Sequence, residues 1–407
     1  MKNSNRPLSI LCVSCYFKGE DFLRGAKDTG AKVTLLTVKD LEHQPWPHEA
    51  IDEMIYCGQS PADWNYEHVI KGLAYKFREE PFDVIVALDD FDVEKAAYLR
   101  EHFRIGGMGQ TTVRHFRDKL GMRLKAQDAN IDIPKFTALF SNEEINQYLD
   151  EVEGPWLIKP RSEASASGIK KVNTRDEFWN HVHSLGDERD EFLAEAFRPG
   201  DVYHVDSLSL NGEVIFTRAH RYMNTPMEVA HDGGVFRTHT LSHRAKETKE
   251  LLQLNKELLS TFGLKHGASH SEFIKDHATG KFIFLETASR VGGANIAEML
   301  EASSNINLWK EWAKIEYAVA TDTEYKLPKV KNEYSGIIVS LAKQEWPDLH
   351  SYNENEVVWR MNKKHHAGVV VNHKKQDRVI ELLEQYASRF YQDFFATMPS
   401  TRDRPAI

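Results

Sequence analysis

One stretch shows how part of the chain is built: residues 270–286 read HSEFIKDHATGKFIFLE. Two apolar runs flank a polar turn at 276–281, which predicts a pair of antiparallel strands. Counting outward from residue 279 sets Glu272 opposite Glu286, on one face of the pair and with Cβ atoms about 5 Å apart. Two such carboxylates repel each other unless a divalent cation lies between them, and Mg²⁺ prefers oxygen ligands. The stretch predicts a magnesium site; the alternative is two exposed acids in a register slipped by one residue.

Arg290 follows this hairpin and precedes Gly292 and Gly293. A helix is predicted over 294–302, so a guanidinium and a helix N-terminus would lie close together. That combination suits an anionic group. A surface arginine leading into a helix is the alternative.

Two lysines upstream are candidates for phosphate contacts. Lys159 ends a predicted strand over 156–159 and is followed by a small-residue loop, Ser165-Ala-Ser-Gly168. Backbone N–H groups of such loops can approach phosphate oxygens. Lys119 lies on a predicted helix over 114–130. Solvated lysines are the alternative for both positions.

The first part of the chain alternates strands and helices. Strands are predicted over 9–17, 33–38 and 84–88, with helices over 21–31 and 64–80. This alternation indicates a parallel sheet, whose ligands bind at the carboxyl ends of the strands. Asp89 and Asp90 follow the third strand, where they would bind a substrate amine or form a solvated turn.

The later part of the chain reads as antiparallel. A hairpin over 203–216 turns at Asn211 and Gly212, a helix is predicted over 247–262, and a final amphipathic helix over 376–395. Residues 222–240 read as an irregular, mobile loop. His231 and Arg237 lie in this loop and are candidates for contacting a substrate, with solvated loop residues as the alternative.

Composition excludes several classes of protein. The 407 residues suggest two to four domains, and the net charge of -9 argues against nonspecific nucleic-acid binding. There is no apolar run of about 18 residues and no N-terminal signal pattern, so we expect no membrane association and a cytoplasmic location. Cys12 and Cys15 form a CxxC, but on a strand they point to opposite faces, which favours core residues over a redox site.

Taken together, these residues resemble the ATP-grasp superfamily over almost the whole chain. The resemblance implies a mixed α/β and α+β fold with a Rossmann-like pre-ATP-grasp domain at 1–114. An ATP-grasp core would follow at 115–325, comprising a small lid lobe at 136–197 and a large lobe at 198–325. A C-terminal α+β domain similar to that of biotin carboxylases would occupy 326–407.

The resemblance also implies roles for particular residues. Lys119 and Lys159 match the phosphate-binding lysines, 161–170 matches the flexible phosphate loop, and 193–200 matches the hinge. Glu272 and Glu286 match the Mg²⁺ ligands (Mn²⁺ would serve too), and Arg290 with Lys159 would act on the transferred phosphate. The implied ATP-binding residues are Lys119, Lys159, Ser165, Ser167, Gly168, Glu195, Ala196, Phe197 and Asp206.

Within the hinge, Glu195 would meet the nucleotide, and the backbone of Ala196 and Phe197 would contact adenine. The sequence departs from the family pattern at Ala288, where many members carry a third metal ligand. The phosphate loop holds one glycine, Gly168, where many relatives have more. Asn295, with Asp89, His231 and Arg237, completes the candidates for contacting the substrate.

The activity implied by the resemblance is an ATP-dependent ligase that joins a carboxylate to an amine or thiol through an acyl phosphate. The partners would be small molecules and no nucleic acid, and the family's habit suggests a homodimer. Two alternatives stay open: a carboxylase similar to biotin carboxylase, and a nucleotide-binding regulatory protein without catalysis.

Overall fold

The computed structural model describes residues 6–164, 167–232 and 234–396, apart from the side chains of residues 230–232. Three sheets organise this part of the chain: a four-stranded parallel sheet, a four-stranded antiparallel sheet and an eight-stranded antiparallel sheet. None of its helices has the length and apolarity needed to cross a bilayer.

The parallel sheet is formed by the N-terminal part of the chain, in the order β3-β2-β1-β4. Asp89 lies two residues after the end of its strand β4, at the carboxyl edge, as the alternating pattern predicts. Its elements are β1 Ser9–Val13, α1 Glu20–Asp28, β2 Lys32–Thr37, β3 Glu53–Tyr56, α2 Tyr66–Phe77, β4 Val84–Ala87 and α3 Val93–Phe103.

Two short helices lead into the next unit: α4 Gln110–Val113 and α5 Lys119–Asp128. The single helix predicted over 114–130 is interrupted at Arg117, because the side chain of Asp118 caps a new helix by accepting a hydrogen bond from the Leu120 N–H. Lys119 is therefore the first residue of α5 and not a mid-helix residue.

A small lobe follows, whose sheet has the order β5-β8-β6-β7. Its helices α6 and α7 begin after Ser141 and Thr174, whose side chains accept hydrogen bonds from the N–H groups of Glu144 and Glu177. The elements are β5 Phe136–Ala138, α6 Asn142–Glu151, β6 Trp156–Pro160, β7 Lys170–Val172, α7 Arg175–Leu185 and β8 Phe192–Ala196.

The large sheet has the order β13-β12-β9-β10-β11-β14-β16-β15. Its strands are β9 Gly200–Leu210, β10 Glu213–Tyr222, β11 Phe236–Thr240, β12 Gly267–Asp276, β13 Phe282–Ala288, β14 Tyr334–Leu341, β15 Val357–Arg360 and β16 His366–His373. The helices of this part are α8 Pro226–Asp232, α9 Lys246–Phe262, α10 Ile296–Ser304, α11 Leu308–Thr321 and α12 Gln376–Asp393.

The prediction of an irregular loop over 222–240 is wrong. Strand β10 continues to Tyr222, helix α8 follows, and β11 pairs with β10 on one side and with β14 on the other. Gly233 and Gly234 suggested a loop, and Gly233 lies outside the described residues. The residues that follow them form the short strand β11, Phe236–Thr240. Because β11 pairs with β14, residues on both sides of the proposed boundary at 325/326 share one sheet, and the division into domains stays a proposal.

The two faces of the large sheet differ in chemistry. One face is apolar: Phe273 and Phe284 pack with Leu251, Leu258 and Phe262 of α9. The other face is polar near β9, β10 and β12, where strand alternation groups His204, Asp206, His220, His270 and Glu272. The candidate site lies on this polar face.

Candidate functional site

Glu272 and Glu286 lie opposite each other on β12 and β13, as predicted. The pairing runs regularly from Lys275–Phe282 to Phe273–Phe284, and then a β-bulge adds one residue, Leu285, to β13. In a ladder without the bulge Glu286 would pair with Ser271 and point to the apolar face. The bulge therefore brings both carboxylates to the same polar face.

A lysine bridges this acidic pair to the small lobe. Nζ of Lys119 lies 2.9 Å from Oε2 of Glu286 and donates a 2.5 Å hydrogen bond to the carbonyl of Glu163. Burial alone would raise the pKa of the Glu286 carboxyl, but Lys119 and more distant cations lower it to about 2. Glu286 is thus ionised at neutral pH, with a cation already beside it.

The chemistry of these residues fits a divalent metal. Two carboxylates share one face, and the ammonium of Lys119 stands in the place of a cation beside one of them. Ala288 pairs with His270 across the strands and offers no side-chain oxygen, so any third ligand comes from elsewhere.

Lys159 lies in a buried ion network of the small lobe. Its ammonium pairs with Oε1 of Glu195, and Nε of Arg123 donates a 3.0 Å hydrogen bond to Oε2 of the same carboxylate. Burial, followed by the positive charges of Arg123 and Lys119, lowers the pKa of Lys159 to about 8 against the opposing effect of its carboxylate partner. Two buried cations share one carboxylate, which leaves positive charge available for an anion.

This network shows what the Glu195 side chain contacts inside the protein. The residue is 2 % exposed and its carboxylate pairs with Lys159 and Arg123, while its expected contact with the nucleotide stays a prediction. The following backbone is also engaged: the N–H of Ala196 donates to the Lys135 carbonyl and that of Phe197 to the Pro155 carbonyl. Adenine would have to use other hinge groups than these two N–H donors.

The predicted phosphate loop begins beside Lys119, whose backbone N–H donates to the carbonyl of Arg161 at 2.8 Å. Ser165 lies outside the described residues. The N–H of Ser167 donates to the Ala164 carbonyl at 3.1 Å. Gly168 has a φ of 71°, and an added Cβ would lie 2.8 Å from Cγ of Pro160, so only glycine fits this turn.

Arg290 lies across the cleft from the N-terminal sheet. Its Nε is 3.9 Å from Oδ1 of Asp90, whose other oxygen accepts a 2.9 Å hydrogen bond from Arg117. Asn295 precedes α10 in the left-handed conformation and donates to Glu298 at 2.9 Å. Helix α10 begins at Ile296, two residues later than predicted, and the nearness of the Arg290 guanidinium to its N-terminus stays a prediction.

The other substrate candidates are placed less favourably. Asp89 is fully buried, 2.7 Å from Nζ of Lys18, and its contact with a substrate amine stays a prediction. Thr238 hydrogen-bonds His204 on the polar face, so its strand neighbour Arg237 points to the opposite face, away from Glu272. His231 lies in helix α8 and not in a loop; its side chain is not described.

Sequence reasoning missed a polar network beneath the two glutamates. Asp206 is fully buried and accepts hydrogen bonds from Nδ1 of His204 at 2.7 Å and Nδ1 of His270 at 2.8 Å, and its expected contact with ATP stays a prediction. The motifs His204-Val-Asp206 and His270-Ser-Glu272 each place a histidine and an acid two residues apart. On paired strands this spacing puts all four side chains on one face, which is the signal that was available.

Comparisons with known proteins give one sequence relative and many similar structures. No family model matches the chain. The chain is 27% identical over 237 residues to an L-arginine-specific L-amino acid ligase of Bacillus subtilis. This match covers 56% of the chain and 56% of that protein, so it spans about half of the relative's length.

Two solved structures match nearly the whole chain. The L-amino acid ligase of Bacillus licheniformis superposes with a TM-score of 0.73 at 17% identity, covering 97% of this chain and 100% of that one. Biotin carboxylase of Campylobacter jejuni, in complex with an ATP analogue, superposes with a TM-score of 0.68 at 15% identity, covering 96% and 92%. The chain therefore has the ATP-grasp fold.

Proposed function

We propose that this protein is an ATP-dependent carboxylate–amine ligase that forms an amide bond and releases ADP and phosphate. The observation that carries the proposal is the meeting of opposite charges in one cleft. Glu272 and Glu286 lie on one wall, Lys159 lies on the other with the buried Arg123 behind it, and Lys119 bridges the two walls. Such a cleft suits a nucleotide triphosphate with its divalent metal.

In the proposed reaction, a carboxylate oxygen of the first substrate attacks the γ-phosphorus of ATP, and the bond to the bridging oxygen of ADP breaks. The product is an acyl phosphate. The amine of the second substrate then attacks the acyl carbon, and inorganic phosphate leaves as the amide forms and the amine loses a proton. The cations Lys119, Lys159 and Arg290 would stabilise the negative charge that develops on the transferred phosphoryl group.

Mg²⁺, or Mn²⁺, would be held by Glu272 and Glu286 and would neutralise phosphate charge there. Gly168 and its neighbours would close over the phosphates and exclude water from the acyl phosphate. These roles, and the contacts of Ser165, Ser167, Asn295 and the hinge backbone with ligands, belong to the proposal.

We propose amino acids as both substrates, because the one sequence relative is an L-amino acid ligase. We also propose that its partners are small molecules, that it forms a homodimer and that it is located in the cytoplasm.

The test measures ADP release by purified protein with Mg²⁺ and ATP against amino acids, singly and in pairs, with products identified by mass spectrometry. Release that requires a pair, together with a dipeptide mass, is the expected result. Glu286→Gln serves as the inactive variant and Glu213→Gln, at an exposed position on β10, as its matched control. ADP release that depends on bicarbonate would identify a carboxylase instead, and ATP binding without turnover under any condition would contradict the ligase.

A further inference from the structure

The two acidic side chains of the cleft are held by different partners. Glu286 faces Lys119, whereas Oε1 of Glu272 accepts a 2.7 Å hydrogen bond from the hydroxyl of Tyr222. Nε2 of His270 lies 3.5 Å from the same Oε1 and 3.5 Å from the Tyr222 hydroxyl. Glu272 is therefore fixed from beneath, by two side chains of the same sheet face.

These two partners are themselves fixed. Asp206 accepts hydrogen bonds from His270 and His204, and Nε2 of His204 lies 2.8 Å from Oγ1 of Thr238. Because Nδ1 of His270 is engaged by Asp206, its other nitrogen is directed at Glu272. A Cβ on Gly292 would lie 2.8 Å from Nδ1 of His270, so the backbone at Gly292 packs closely against the ring.

Tyr222 has little freedom as well. It is 6 % exposed, its ring lies 4.7 Å from that of His204, and Leu285, the extra residue of the bulge, packs on its cluster with Ile274 and Ile283. A side chain packed on all sides can hold its hydroxyl in one place, which is what an orienting hydrogen bond requires.

We propose that Tyr222 and His270 are positioning residues that hold Glu272 in its metal-binding orientation, with Oε1 occupied by Tyr222 and Oε2 left for the ion. The inference rests on the proposed metal site at Glu272 and Glu286. Metal-binding carboxylates are commonly held by hydrogen bonds of this kind, and loss of the hydrogen-bonding partner weakens metal binding about 10–100-fold.

The same cluster has a second interpretation, as a metal site of its own. One ligand atom each from His204, Asp206 and His270 lies within 4.8 Å of the others. However, the facing histidine nitrogens and both Asp206 oxygens already hydrogen-bond one another, so the geometry is that of a mutually satisfied network that orients Glu272.

The test compares Mn²⁺ binding to the wild-type protein, Tyr222→Phe and Tyr203→Phe, by electron paramagnetic resonance with a non-hydrolysable ATP analogue present. Tyr203 is the matched control: it is buried, lies on strand β9, and points to the opposite face of the sheet. We expect the Kd for Mn²⁺ to rise about 10–100-fold in Tyr222→Phe and to stay unchanged in Tyr203→Phe. The loss of activity in Tyr222→Phe should be recovered at high Mg²⁺, with kcat near that of the wild type.

The outcomes separate the inference from the proposed function. A wild-type protein that binds no Mn²⁺ with nucleotide would contradict the metal site and the inference with it. Normal wild-type binding with an unchanged Kd in Tyr222→Phe would overturn the inference alone. If Tyr222→Phe fails to fold by circular dichroism, His270→Gln takes its place, and an unchanged Kd in that variant overturns the inference equally.

Discussion

The two walls of the cleft are unbalanced in opposite directions. On one wall, Lys159 of the small lobe and Arg123 of α5 share the single carboxylate of Glu195. On the other wall, the large lobe holds Glu272 and Glu286 side by side, and the ammonium of Lys119 faces Glu286 alone. One wall therefore has positive charge to spare and the other has negative charge to spare.

This difference indicates what kind of ligand completes the cleft. A ligand that carries anionic groups against the first wall and a cation against the second would neutralise both at once. Neither a simple anion nor a lone metal ion does so, whereas a metal–nucleotide pair does. Lys119 connects the walls, and its contact with Glu286 is the one charge pair that spans them.

Removing charge from the acidic wall should have the largest effect on turnover. Glu286→Gln keeps the size of the side chain but removes the charge that faces Lys119. We expect turnover to fall about a thousandfold or more, since charge stabilisation at the reacting phosphate is lost. Steady-state ADP release measures the effect, and a variant within threefold of the wild type would contradict the role of this wall.

Removing charge from the basic wall should have a smaller effect. Lys159→Met should lower kcat/KM for ATP about a hundredfold, because Lys119 and Arg290 still supply positive charge. Lys256→Met, at an exposed position on α9, is the control for the substitution itself. An equal loss in both variants, or none in Lys159→Met, would show that Lys159 does not bind phosphate.

The smallest effect is a pH dependence. Burial and neighbouring cations hold the pKa of Lys159 near 8, so the ammonium is present below that pH and is lost above it. We expect kcat/KM for ATP, which reports the free enzyme, to fall as pH rises through about 8.

The variant Glu195→Gln sharpens this measurement. The carboxylate of Glu195 raises the pKa of Lys159, and this variant removes its charge. The fall in kcat/KM should therefore begin at a lower pH. A profile that stays level to pH 9 in both proteins would contradict the assignment.

The sequence predicted the helices and strands better than it predicted which residues pair with the charged side chains. The opposition of Glu272 and Glu286 was predicted from a count centred on residue 279, but the pairing nearer the turn has its centre half a residue earlier, and the bulge at Leu285 supplies the difference. The pair was therefore found although the bulge was not foreseen, because turn length and bulge compensate each other.

The internal partners of the buried acids were not foreseen. Glu195 and Asp206 were expected to meet ATP, and Asp89 to bind a substrate amine or form a solvated turn; each is paired with a cation or histidine of the protein. An acid at the end of a strand looks the same in sequence whether it faces a cleft or an internal partner, because the partner comes from a distant segment: Arg123 precedes Glu195 by 72 residues.

The bulge at Leu285 has a consequence for how the site is encoded. A leucine that carries no charge and binds nothing determines whether the carboxylate after it faces the cleft or the apolar side against α9, where burying it would cost several kcal/mol. Inserting or deleting one residue between the turn and this point would move the carboxylate to the other face of the sheet. The position of this carboxylate is thus determined by the number of residues in the strand as well as by their identity.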